Sequence, residues 1–120
     1  MVLRGSAESL EGALDLTAIV DQEKALGIAG DATLLRFADA VIGNDMAALD
    51  AARTNLIENL GEDALIGAAA VIANFSRNDR IANACGIPLE PDFVNQGMDI
   101  VDSLDLRRFY SAQNSLPDKG

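Results

Sequence analysis

Apolar residues recur along this chain at the three- and four-residue spacing of helices rather than the alternation of strands. Residues 1–7 show no periodicity and are expected to form a frayed N-terminal arm. After them Leu10, Ala13, Leu14, Leu16, Ile19, Val20 and Leu26 predict a helix ending near Gly27, with a break allowed near Thr17. Asp31 is expected to cap a second helix that carries Leu34, Leu35, Ala38, Val41 and Ile42 and stops at Gly43. Asp45 is expected to cap a third, with Met46, Leu49, Ala52, Leu56 and Leu60 on or near one stripe and Gly61 at its end. Short turns between these elements favour antiparallel neighbours.

The longest run begins at Glu62 and Asp63, whose charges suit the positive end of a helix dipole, and ends at Gly86 and Pro88 after about six turns. Its small and apolar positions Leu65, Ala68, Ala69, Ile72, Phe75 and Ala82 recur at helical spacing. Gly67-Ala68-Ala69-Ala70, with Ala73 one turn on, would let another helix backbone come close, so the run is expected to be the tightly packed central element. Its second half is richer in polar groups: Asn74, Arg77, Asn78, Asp79, Arg80 and Asn83. Beyond Pro91, Phe93, Val94, Met98, Val101 and Leu104 predict a fifth helix, and Leu106, Phe109 and Tyr110 a short sixth.

Composition narrows the class. The 120 residues fit a single helical domain, and 49% apolar with only 4% aromatic residues implies a core of Ala, Leu, Ile and Val, which suits packed helices. The expected fold is therefore an all-α, compact antiparallel bundle of five to six helices. Nineteen acidic against nine basic residues leave a net charge of −10, which repels phosphate backbones and anionic membranes. No stretch approaches the roughly 20 apolar residues that span a bilayer. With one cysteine and no secretory pattern, the expected location is the cytoplasm.

Phe75-Ser76-Arg77-Asn78-Asp79-Arg80-Ile81-Ala82-Asn83-Ala84-Cys85-Gly86-Ile87-Pro88-Leu89 resembles the C-terminal helix of the alkylhydroperoxidase D-like, or carboxymuconolactone decarboxylase-like, family, with its Phe, its Arg five residues on and its small-residue turn ending in Gly. The stretches 34–38 and 55–61 look like the two shorter helices that precede it, and 106–115 like a tail found in some members, so the resemblance covers about residues 31–115. It implies packed antiparallel helices and assembly into homo-oligomers, a dimer or larger. It does not carry activity over. Peroxidase members use a Cys-x-x-Cys pair followed by a His, with a Glu assisting proton transfer, whereas this chain has one cysteine and no histidine. A peroxidatic thiolate needs a second thiol to resolve its sulfenic acid and a base or positive field to lower its pKa.

The remaining polar residues suggest few sites. Cys85 falls at a helix C-terminus, where the dipole disfavours a thiolate, and is expected to be buried or inert; a disulfide across a subunit interface is the functional alternative. Arg77 and Arg80, one turn apart, form with Asn74 a candidate polar site for a small carboxylate or phosphate, against the plainer reading that Asp79 or Glu90 pairs with the arginines. Asn74 and Asn78 could also line a polar seam between subunits. Asp99, Asp102 and Asp105 read as a solvated face, and Asp45 and Asp50 as capping and surface residues. No metal cluster, phosphate loop or cofactor motif is present in the sequence.

These features favour a non-catalytic helical protein that acts through self-association or by binding a partner or small ligand. Two other readings stand beside it: a thiol-independent enzyme, performing proton transfer or decarboxylation on a small organic acid held by Arg77 or Arg80, and an accessory subunit of a redox-active relative.

Overall fold

The computed structural model describes residues 15–21 and 23–116. Among them all regular structure is helical: α1 (Asp31–Ile42), α2 (Met46–Leu60), α3 (Glu62–Cys85), α4 (Pro91–Gln96) and α5 (Met98–Ser103), with 3₁₀ turns at Leu16–Ile19, Leu106–Arg108 and Tyr110–Asn114. The expected N-terminal arm lies outside the described residues, as do Leu10, Ala13 and Leu14 of the first predicted helix. Two compact units are present, whose described parts run from Asp15 to Arg77 and from Asn78 to Leu116. No helix among the described residues is long and apolar enough to cross a membrane.

In the first unit the described part of the predicted 10–26 helix is a single 3₁₀ turn, not a helix. The Asp15 carboxylate accepts from the Thr17 N–H at 3.0 Å and from the Thr17 hydroxyl, and Asp21 accepts from the Glu23 N–H, so side chains compete with the helical ladder at both ends. The α1 start also differs by one residue from expectation. Gly30 occupies the cap with φ 77°, and Asp31 is the first helical residue. The left-handed φ of Gly30 favours glycine, and a Cβ there would also press on the Leu60 side chain, 2.9 Å from its Cδ2, which would have to shift.

Asp31 instead ties the preceding loop to the helix, accepting from the Gly27 N–H at 3.1 Å and the Ala32 N–H at 2.6 Å. These bonds, that from Gly27 foremost, hold its carboxyl below the ordinary value of 3.8. Because the folded-state pKa lies beneath the unfolded one, the resulting stability is present above pH 3.8 and is lost as pH falls through the folded value. Asp31→Asn is therefore expected to lower the urea midpoint above that pH and to make its decline on acidification shallower. Parallel declines in the two proteins would contradict this role.

The α2 boundaries match the sequence expectation. Asp45 Oδ1 accepts from the Ala47 and Ala48 N–H groups at 2.9 and 3.1 Å, and Gly61 (φ 90°) ends the helix by donating to the Ile57 carbonyl. α1 and α2 form the closest helix pair of the unit. Its buried apolar residues are Ala18, Phe37 and Leu56, of which Leu56 is fully inaccessible. Phe37 was not part of the predicted stripe. The buried face of α1 centres on this largest side chain, and Val41 and Ile42 are exposed. Met46, at the start of the α2 stripe, is 67% exposed, so periodicity overstated how far burial extends along the helix.

The larger correction concerns α3, which none of the chain's described residues encloses. It has the predicted limits, and Gly86 (φ 63°) closes it in a Schellman motif, Ile87 N–H donating to the Ala82 carbonyl and Gly86 N–H to that of Asn83. Yet no α3 residue is buried. Gly67, Ala69, Ala70 and Ala73 are exposed, and a Cβ added at Gly67 would meet no atom within 4 Å. Small side chains permit close approach without supplying the apolar area that compels it. α3 is therefore not the tightly packed centre that its composition suggested.

In the second unit the predicted fifth helix is two. Gly97 donates to the Phe93 and Val94 carbonyls and closes α4, while its own carbonyl accepts from Ile100 and Val101 and opens α5. Val94, Ile100, Val101 and Leu104 form the buried core here. The predicted sixth helix is a pair of 3₁₀ turns, entered through Asp105 at φ 50°, a left-handed conformation that interrupts any continuous helix.

Candidate functional site

Asn74, Arg77 and Arg80 are all exposed on α3. Arg77 Nη2 donates to Asn74 Oδ1 at 2.9 Å, a bond between residues one turn apart. Asn74 and Arg77 belong to the first unit and Arg80 to the second. Neither arginine lines the three hollows described below, and no ion pair among the described residues joins Arg80 to Asp79 or Glu90. Cys85 is an exposed free thiol, so of the expectation that it is buried or inert the burial does not hold. Asp99, Asp102 and Asp105 are exposed. No three His, Cys, Asp or Glu side chains among the described residues are grouped as a metal would require.

The first unit carries a surface on α3 that its composition alone did not reveal. Asp63, Ile66, Ala70, Ala73 and Arg77 follow one another at alternating spacings of three and four, the spacing of a coiled-coil seam, and all five are exposed. The seam is acidic at its start, basic at its end and apolar between. From Ala64 to Ser76 no residue carries a charge, in a chain whose net charge is −10. Ile66 is 69% exposed; on other sides of the same turns Val71 and Phe75 are 57% and 60% exposed. A helix apolar on every side is ordinarily enclosed, and this one is open. The heptad spacing was the available signal for this seam.

Two further hollows belong to the first unit. One, about 440 Å³, is an open apolar groove beside Phe37, Leu49, Leu65 and Ile66. The other, about 640 Å³, is of mixed character, with alanines beside the N-cap Asp45, Arg36 and Asn55. Asp45 is already engaged with two backbone N–H groups there.

The second unit contains an apolar hollow of about 650 Å³. Buried Val94, Gly97 and Val101 line it, as do the partly exposed Ile87, Leu89, Phe93 and Phe109. Leu89 N–H donates to Ser115 Oγ at 2.8 Å, tying the loop after α3 to the last 3₁₀ turn across 26 residues of sequence. The Arg108 guanidinium lies over the Phe109 ring, 4.8 Å from its centroid. Sequence reading missed this hollow because its residues come from α3, α4, α5, the two 3₁₀ turns that follow and the loops between them, each apolar for reasons that local periodicity reads as core.

Comparison with protein-family models, with curated proteins and with solved structures finds no match to this chain.

Proposed function

We propose that this chain is a non-catalytic helical protein of the alkylhydroperoxidase D-like type that acts as a homodimer, joined by antiparallel pairing of α3. The observation that carries this reading is the exposed seam from Asp63 to Arg77. A two-fold axis near Ala70, midway between them, puts Asp63 of each copy opposite Arg77 of the other, the reciprocal pairing of an isologous interface. Ala70 and Ala73 let the two backbones come close, and Ile66 supplies apolar area. A second copy suits this face because the uncharged centre avoids the repulsion that two acidic chains otherwise feel, while the seam's ends attract. The pattern at residues 75–89 and the all-helical architecture support the family reading, and the single cysteine and missing histidine support the absence of thiol chemistry.

Multi-angle light scattering of the full chain at micromolar concentration is expected to give twice the chain mass. A monomer throughout that range would refute self-association.

A further inference from the structure

We propose that the hollow of the second unit is a binding site for a small soluble amphiphile with an apolar body and a cationic head. The volume of about 650 Å³ lies within the range of small-molecule sites, and the lining has their usual make-up of apolar walls with a few polar groups. Val94 and Val101 are buried, whereas Leu89, Phe93 and Phe109 keep much of their surface in water. An apolar body seated among them would remove that surface from water.

The polar groups choose the head. Among the described residues that line the hollow, Asp79 is the only charged one, and Asn83, one turn further along α3, lines it too. Asn114 and Ser111 add neutral hydrogen-bonding groups at the other end of the sequence segment. Arg108 is held against the Phe109 ring and does not line the space. With the acidic Asp79 as the charge among the described lining residues and a net charge of −10 on the chain, a carboxylate or phosphate head is disfavoured and an ammonium head favoured. The proposal does not depend on dimerisation, since none of the seam residues lines this hollow.

The test uses the full, isotope-labelled chain and two probes of equal chain length, decyltrimethylammonium and decanoate, each below its micelle-forming concentration and at one ionic strength. Decyltrimethylammonium is expected to cause saturable amide shifts at Asn83, Leu89 and Ser115. Decanoate should bind about fivefold more weakly, the scale of one exposed charge contact. Ala82→Phe and Ala112→Trp fill the space from two different elements and are each expected to weaken both probes by about tenfold or more with the helical circular dichroism retained. If one of them unfolds, the other serves. Asp79→Asn should at least halve the preference for the cation. The proposal is overturned by equal affinity for the two probes, by no saturable shift from either, or by undiminished binding in a folded filling variant. Because the readout is residue-specific binding and not mass, its failure would leave the dimer question separately answered by light scattering.

Discussion

Leu56→Ala is expected to lower the unfolding free energy by about 3 kcal/mol, the middle of the range for a buried leucine truncation. Leu56 is the single large side chain among the described residues with no measurable exposure, and only Ala18 and Phe37 share its buried status in the first unit. The lost transfer free energy is joined by the cost of whatever cavity the neighbouring side chains leave unfilled. For a domain of this size the change corresponds to a fall of about 10 °C in Tm. Met46 lies on the same predicted stripe of α2 but is 67% exposed. Met46→Ala is thus expected to stay within about 0.5 kcal/mol of the parent. Thermal and urea unfolding of both variants would check the contrast, and equal destabilisation would refute the burial pattern.

Ala70→Glu is expected to convert the proposed dimer to monomer, weakening association by about a hundredfold or more. At the centre of an antiparallel pair the two introduced carboxylates would meet across the axis, each losing water without gaining a counter-charge. Glutamate is a good helix former, so α3 itself should persist, which circular dichroism can confirm. A second series tests the register. Arg77→Asp alone turns two attractive pairs into repulsive ones and is expected to weaken association about tenfold, within the scale of exposed ion pairs. Adding Asp63→Arg should restore it, because the exchanged charges again oppose one another. Sedimentation equilibrium of the four proteins would read this cycle. If the double variant is no better than the sum of the single changes, Asp63 and Arg77 do not face each other.

The legibility of this chain divides along the range over which each signal acts. The cap at Asp45, the stop at Gly61 and the Schellman ending at Gly86 each depend on a handful of adjacent residues, and all three were readable. The Asp31 cap was misplaced by one residue because its carboxylate engages Gly27 in the preceding loop instead of the helix start alone. Gly97 was passed over within an apolar run, although its carbonyl and N–H divide α4 from α5. Of the candidate site, the exposed arginines were named, while the seam joining Asp63 to Arg77 and the hollow below Phe93 and Phe109 were not.

By itself the sequence determined that the described residues are helical, where their longest helix begins and ends, and that the chain carries one cysteine and no histidine, since these follow from local hydrogen-bonding preference and residue inventory. Only the tertiary structure decided which apolar faces are covered. The spacing of Ala69, Ala70 and Ala73 is the same whether a helix is enclosed or open, because periodicity defines a face and says nothing of what lies against it. Burial is settled by the sum of contacts with residues distant in sequence, and around α3 those contacts are too few to enclose it.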